Sequence, residues 1–184
     1  IILSLFLLGT LLSANAQVPS YVPSNGLSGW WSFSGNANDE SGKGNNGNVI
    51  GATLTSDRFG VTNKAYQFNG NGKYIDIGSA GLSNNPDTCS FSLWTKVDSI
   101  YTGLYGQTSM ILTKRHVDNG PSWTSIQINK DSVVNIIIDR PSNISHISHN
   151  KNALKGQWTH IVLVKKKNNW WVKFSISQKE RISV

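Results

Sequence analysis

The loop at residues 36–47 is rich in glycine and asparagine and contains one adjacent acidic pair, Asp39 and Glu40. Glycine adopts the positive φ angles of tight turns at no steric cost, and asparagine tolerates them. Such a loop can bring several backbone carbonyls toward one carboxylate, and oxygen ligands suit a hard cation such as calcium. Asp39 is the predicted anchor of a calcium site, with Glu40 as a second candidate ligand. A connection between strands with no ligand is the alternative, which the local composition alone favours.

The seven tryptophans are the second group of candidate binding residues. Flat apolar rings complement the CH faces of pyranose sugars. Trp31, Trp94 and Trp158 occur within apolar runs, which predicts core positions for them. Trp123 lies beside an Asn-Gly-Pro turn and is the predicted sugar-binding side chain. The other three tryptophans are not assigned to either environment.

Paired catalytic carboxylates are not found in the sequence. Glycoside hydrolysis normally needs two carboxylates about 5 to 9.5 Å apart, but no predicted strand carries acidic residues at i and i+2 or at i and i+4. The only glutamates are Glu40 and Glu180. Four residues have types that a polysaccharide lyase uses, without a lyase motif around them: Tyr74, Arg115, His116 and His160. We therefore predict that the chain is not an enzyme.

Histidine and cysteine residues suggest no further site. His146 and His149 have no third ligand nearby in the sequence, so we predict a polar loop there rather than a zinc site. Cys89 is the only cysteine, so no internal disulfide can form.

The positive net charge of +7 comes from the last part of the chain. Residues 1–150 hold equal numbers of acidic and basic residues, whereas residues 151–184 carry eight basic residues against Glu180. A basic patch of this kind could attract phosphate or an anionic polysaccharide. The interpretation we favour is a lysine-rich hairpin, residues 165–169, that turns in solvent. Nucleic acid is not a predicted partner.

The N-terminal sequence predicts export from the cell. Residues 1–12 are almost wholly apolar and are followed by Ser-Ala-Asn-Ala, which is typical of a signal peptide at residues 1–16 that is cleaved after Ala16. The apolar run is shorter than the roughly 20 residues that cross a bilayer. We predict a mature chain that is secreted or at the cell surface, without a membrane span. Residues 17–26 are predicted to be an extended lead-in to a single domain at 27–184.

Short runs of β-branched and aromatic residues, separated by Gly, Asn and Pro turns, predict an all-β sandwich or barrel with almost no helix. An Asn-Gly-Asn-Gly sequence at 69–72 predicts a hairpin turn. The predicted strands are 27–33, 49–55, 65–68, 74–77, 91–97, 110–114, 125–128, 133–138, 158–165 and 171–176.

Seven sequence motifs occur in an order that resembles that of a known protein family. The motifs are Gly-Trp-Trp-Ser-Phe (29–33), Asn-Ala-Asn-Asp-Glu-Ser-Gly (36–42), Gly-Ala-Thr-Leu-Thr-Ser-Asp-Arg-Phe-Gly (51–60), Ala-Tyr-Gln-Phe-Asn-Gly (65–70), Tyr-Ile-Asp-Ile (74–77), Phe-Ser-Leu-Trp (91–94) and Trp-Thr-His-Ile-Val-Leu-Val (158–164). The series resembles the laminin-G-like jellyroll modules of the concanavalin A-like lectin/glucanase superfamily, in their secreted bacterial form. The resemblance implies two antiparallel sheets packed face to face in a protein that binds glycans or other extracellular partners, usually without catalysis. Some relatives hold calcium near the loop after the first strand, where Asp39 matches by position.

The end of the sequence departs from this pattern. Relatives continue through further strands to a closing strand, and none of their closing signatures occurs after residue 176. We therefore expect a jellyroll domain that is incomplete at its C-terminal end. The predicted function is a non-catalytic lectin-like module for a polysaccharide or an extracellular protein, with calcium as a candidate stabilising ion. A partial glycoside hydrolase or lyase domain and a structural spacer of a surface adhesin are the alternatives.

Overall fold

Eleven β-strands and no helix form in the residues that a computed structural model of the chain describes, namely 18–70, 72–78, 88–99, 108–116, 122–129, 133–140, 143–150, 155–167 and 169–176. The strands are β1 (Asn48–Ile50), β2 (Thr53–Thr55), β3 (Ala65–Gln67), β4 (Tyr74–Asp76), β5 (Thr88–Lys96), β6 (Thr108–His116), β7 (Ser122–Asn129), β8 (Val133–Arg140), β9 (Asn143–Asn150), β10 (Trp158–Lys166) and β11 (Asn169–Ile176). The prediction of an all-β chain is confirmed.

Four antiparallel sheets contain these strands. Strands β6 to β9 form a four-stranded sheet in chain order, and a three-stranded sheet has the order β11-β10-β5. Two smaller sheets pair β1 with β4 and β2 with β3. The largest sheets thus come from the long strands of the second half of the chain, most of which pair with their neighbours in the sequence.

The hydrophobic core lies between the two large sheets. Ile126 and Ile128 of β7 and Ile161 and Leu163 of β10 are fully buried and form one cluster. Burying each such side chain contributes about 1.5–3 kcal/mol. Because β7 and β10 belong to different sheets, the cluster joins the sheets face to face, an arrangement consistent with a β-sandwich. Six partly buried hydrophobic residues pack around it: Phe91, Leu93, Val97, Ile111, Leu112 and Val172.

The strand predicted at residues 27–33 does not form. The backbone N–H of Trp30 donates to the Asp39 side chain, and the Trp30 carbonyl accepts from the backbone N–H of Glu40. Phe33 has a φ of 55°, which is outside the range of a strand. The 36–47 loop therefore takes the hydrogen bonds that a neighbouring strand would have taken.

The predicted hairpin at residues 69–72 is also wrong. Strand β3 before this turn pairs with β2, and strand β4 after it pairs with β1, so the turn connects two different sheets. The single strand predicted at 49–55 is divided into β1 and β2 at Gly51, which has a φ of 64°. The break at Gly51 sends each half to a different partner.

Residues 143–150, where we predicted a polar loop around His146 and His149, form strand β9. Strand β9 pairs along its whole length with β8, from Val133 opposite Asn150 to Arg140 opposite Asn143. Its isoleucines do not alternate with period two, so local pattern gave no strand signal. Pairing with β8 therefore determines the conformation of this segment.

Candidate functional site

The Asp39 side chain holds the 36–47 loop against the segment before it. Its Oδ1 accepts hydrogen bonds from the backbone N–H of Trp30 at 3.0 Å and of Ser41 at 2.9 Å. Its Oδ2 accepts from the backbone N–H of Asn45 at 3.0 Å. The Asp39 N–H itself donates to the side-chain oxygen of Asn46 at 2.9 Å. One nearly buried side chain, 9% exposed, thus connects both ends of the loop to residue 30.

These hydrogen bonds determine the ionisation of Asp39. Burial by itself raises the pKa of the carboxyl group, but hydrogen bonds from the Ser41 side chain and from the backbone of Trp30, Ser41 and Asn45 lower it, and the result is a pKa of about 2. Hydrogen bonds to the charged form favour that form. The carboxylate is therefore ionised through the whole neutral range.

Two backbone carbonyls of the loop also accept hydrogen bonds. The carbonyl of Ala37 accepts from the Gly47 N–H at 2.7 Å, and the carbonyl of Asn45 accepts from the Trp31 indole N–H at 2.9 Å. Gly47 allows close packing rather than a tight turn. A Cβ at this position would lie 2.8 Å from Ile75 Cγ2 and 3.0 Å from Ala37 Cβ. Close packing therefore excludes a larger residue at position 47.

Both predicted calcium ligands make hydrogen bonds in this arrangement. Three N–H groups donate to the Asp39 carboxylate, two to Oδ1 and one to Oδ2, and Glu40 accepts a hydrogen bond from the Ser32 hydroxyl. The described residues contain no group of three or more His, Cys, Asp or Glu side chains that could hold a metal. Calcium binding through Asp39 stays a prediction.

Other predicted site residues lie in separate parts of the fold. Trp123 lies in β7 opposite Arg115 of β6, and its side chain is outside the described part of the structure. Tyr74 is in β4 and His160 in β10, so the residues of lyase type lie in three different sheets. The predicted signal peptide at residues 1–16 lies outside the described residues.

A second candidate site is the side of the β5-β10-β11 sheet that points away from the core. Inward positions of β10 are buried and alternate with less buried ones, and β5 alternates between exposed and half-buried residues. Directly paired residues of antiparallel strands lie on the same side of the sheet. We call this side the outer face; it carries Ser90, Ser92, Trp94, His160, Val162, Val164, Trp171, Lys173 and Ser175.

Trp94 of β5 and His160 of β10 are directly paired and lie side by side on the outer face. Their rings are stacked, with centroids 4.8 Å apart and planes 15° apart, and His160 Nε2 lies 2.7 Å from Ser92 Oγ. The guanidinium carbon of Arg58 lies 4.3 Å from the Trp94 ring centroid and 4.1 Å from that of Phe59. Trp94 is 37% exposed, so its predicted core position is wrong. The Trp94 ring contacts two polar groups at the surface, the His160 imidazole and the Arg58 guanidinium.

Arg58 is presented by a rigid turn that follows β2. The Oδ1 of Asp57 accepts from the backbone N–H groups of Phe59 and Val61, both at 2.9 Å. The Asp57 N–H donates to the Val61 carbonyl at 3.0 Å. The turn is therefore fixed by its own hydrogen bonds, and Arg58 needs little ordering when a ligand binds.

The electrostatic environment of His160 is positive. Burial lowers the pKa of its imidazole, and the charges of Arg58 and Lys173 lower the pKa further. Among the described residues, Lys96 pairs with Asp98 at 3.2 Å, whereas neither Arg58 nor Lys173 has an ion pair. Two cations without an ion pair therefore act on the stacked Trp94 and His160.

Trp171 is the most exposed aromatic residue of the outer face, at 52%. It pairs with Val164 of β10, and in the described part of the structure it makes no ring or cation–π contact. From the sequence, Trp171 was assigned neither to the core nor to the surface. A period-two pattern of tryptophan with small or charged polar residues, as in Trp171, Lys173 and Ser175, was the signal that could have found this face. Arg58 has no such signal, because a turn brings it there.

Comparison with protein-family models, curated proteins and solved structures finds no match to the chain. The part of the chain that the structure describes contains no helix able to span a membrane.

Proposed function

We propose that the chain is a secreted, non-catalytic module of the laminin-G-like jellyroll type that binds a polysaccharide on the outer face. The observation that carries the proposal is Trp171, a 52% exposed indole on a three-stranded sheet with polar neighbours. An indole offers a flat apolar surface to a sugar ring at low cost in conformational entropy. Asn169 and Lys173, two residues to either side of Trp171 in β11, offer polar groups that could orient the sugar.

The spacing of the two tryptophans supports a chain of sugars rather than one sugar as the ligand. Trp94 pairs with His160 of β10, which pairs with Ser175 of β11, so Trp94 and Trp171 lie two strands apart and four residues apart along the strand. Strand spacings of about 4.8 Å and a rise of about 3.4 Å per residue place them about 17 Å apart. An extended polysaccharide can contact both ends of such a surface.

The test compares Trp171→Ala with Tyr21→Ala in binding to a panel of soluble polysaccharides, measured by affinity electrophoresis and calorimetry. Tyr21 is 80% exposed and lies outside the sheets, which makes it a matched control. We expect wild-type affinities between millimolar and micromolar, about −4 to −8 kcal/mol. Loss of one stacking contact should weaken binding about threefold to tenfold, or about 0.5–1.5 kcal/mol.

Equal affinities of the two variants would show that the binding site is not on the outer face. In that case Trp123 is the next candidate, and Trp123→Ala tests it in the same assay. If no polysaccharide in the panel binds the wild-type chain, the proposal fails and a structural role in a surface protein replaces it.

A further inference from the structure

We infer that the polysaccharide is acidic, and that Arg58 and Lys173 bind its carboxylate or sulfate groups beside the stacked Trp94 and His160. This inference rests on the proposed function and adds the chemical class of the ligand. The position of two cations is the first reason. Arg58, from the turn after β2, lies 4.3 Å from the Trp94 ring that stacks on His160. Lys173 of β11 is opposite Val162 on the same outer face, two residues from Ser175, the residue opposite His160.

The second reason is that neither cation forms an ion pair among the described residues. In the part of the chain described, no carboxylate forms an ion pair with Arg58 or Lys173, and Asp98 pairs with Lys96 instead. The Asp57 carboxylate next to Arg58 in the sequence accepts the N–H groups of Phe59 and Val61. The contacts of Arg58 with the rings of Phe59 and Trp94 are cation–π contacts, which use none of the oxygen acceptors that an anion would offer to its N–H donors.

The third reason is that the geometry of an arginine side chain matches that of a carboxylate or sulfate group. An arginine fork binds the two oxygens of a carboxylate or sulfate in a bidentate manner. His160, stacked on the Trp94 ring that Arg58 contacts, and its hydrogen-bond partner Ser92 add polar groups on the outer face. An acidic sugar could place its anionic group on Arg58 while a neighbouring sugar of the same chain contacts Trp171.

The experiment uses two pairs of polymers that share a backbone and differ in charge. Polygalacturonate is compared with its fully methyl-esterified form, and dextran sulfate with dextran, by calorimetry at low and at 1 M salt. We expect the charged member of at least one pair to bind at least about tenfold more tightly at low salt. The advantage should shrink at 1 M salt, where the screening length is about 3 Å. Which pair responds separates carboxylate from sulfate recognition.

Three charge variants assign the effect to residues. Arg58→Gln and Lys173→Gln should each remove most of the advantage of the charged polymer, and Arg58→Lys should restore part of it. Lys43→Gln, in the exposed part of the 36–47 loop, removes the same charge away from the sheet and should change nothing. Lys173 is exposed and has no described side-chain partner, so Lys173→Gln keeps the test valid if Arg58→Gln does not fold.

The outcomes separate this inference from the proposed function. Equal binding of the charged and neutral members, still weakened by Trp171→Ala, overturns the inference and leaves the proposed function intact. Absence of binding to any polysaccharide overturns both. Equally tight binding of double-stranded DNA or of phosphatidylglycerol vesicles also overturns the inference, because the face would then respond to negative charge without recognising sugar.

Discussion

Replacing Asp39 with asparagine tests the structural role of this carboxylate. The variant keeps the shape of the side chain and removes its charge. The carbonyl oxygen of the new amide can accept the N–H groups of Trp30 and Ser41, but its NH₂ group would then point at the N–H of Asn45, which loses its acceptor. A buried donor without a partner costs about 1–3 kcal/mol.

The pKa of Asp39 gives a second estimate of the magnitude. Its value falls from 3.8 to about 2 on folding, and each unit corresponds to about 1.4 kcal/mol. The ionised form is therefore favoured in the folded state by about 2.4 kcal/mol. We expect Asp39→Asn to lower the free energy of unfolding by about 2–3 kcal/mol, a large part of the roughly 5–15 kcal/mol typical of a domain.

The measurement is urea denaturation of both proteins between pH 7 and pH 2, with EDTA present to remove metal ions. Because the pKa is lower in the folded state, the unfolded chain takes up the proton first as the pH falls. The contribution of Asp39 is thus complete above about pH 4 and is lost as the pH approaches about 2. The difference between wild type and Asp39→Asn should be largest at neutral pH and should narrow in acid.

Asp57→Asn is the control for a general charge effect. Both of its hydrogen bonds, from Phe59 and Val61, reach the same oxygen, Oδ1, which the asparagine amide can replace. We expect a change within about 0.5 kcal/mol. If Asp39→Asn costs no more than Asp57→Asn without metal, the hydrogen bonds around Asp39 do not stabilise the fold and our reasoning is refuted.

Three further predictions concern the same regions. If calcium binds the native chain through Asp39, an excess about a hundredfold above its dissociation constant should stabilise by about 2.7 kcal/mol, whereas a melting temperature unmoved by millimolar calcium would contradict the site. Gly47→Ala should destabilise by about 1–3 kcal/mol, because its Cβ would lie 2.8 Å from Ile75 Cγ2; an unchanged urea midpoint would show that the packing relaxes. The lowered pKa of His160 means that the unfolded chain takes up its proton first, so stability should fall as the pH drops below about 6.5. His160→Gln should flatten that part of the stability profile, and an unchanged slope would contradict it.

Apart from β9, the strands of the second half of the chain were the most predictable part of the fold. The predicted strand at 133–138 lies within β8, and that at 158–165 lies within β10, because alternation and β-branched residues are local signals. The lysine-rich segment forms the predicted hairpin, with Lys166 opposite Asn169 and a φ of 55° at Lys167, but Lys165 is buried rather than in solvent. The two strands and the hairpin could be predicted because they are determined by residues that are close together in the sequence.

The candidate sites depended on contacts between distant residues and were harder to predict. The sequence indicated Asp39 as the anchor of a calcium site, but its hydrogen-bond partner Trp30 lies nine residues away in a segment that we predicted as a strand. Arg58 reaches Trp94 from a turn far away in the chain. Composition cannot show whether a carboxylate in a Gly/Asn loop accepts hydrogen bonds from N–H groups or binds a cation. The same turns can direct either backbone N–H groups or backbone carbonyls toward it.

Lys165 shows how a charge run can mislead when its secondary structure is ignored. The run Lys165-Lys166-Lys167 suggested that all three side chains are in solvent, yet Lys165 is only 2% exposed. Strand β10 continues through Lys166, so period two places Lys165 on the side of Ile161 and Leu163, and Lys166 on the opposite, exposed side. Opposite Lys165 in β5 is Cys89, whose thiol pKa is raised by burial and lowered in part by the lysine charge. The net charge of this segment therefore overstates the charge that a ligand meets, and of the run Lys165-Lys166-Lys167 it is Lys166 that shares the outer face with Lys173.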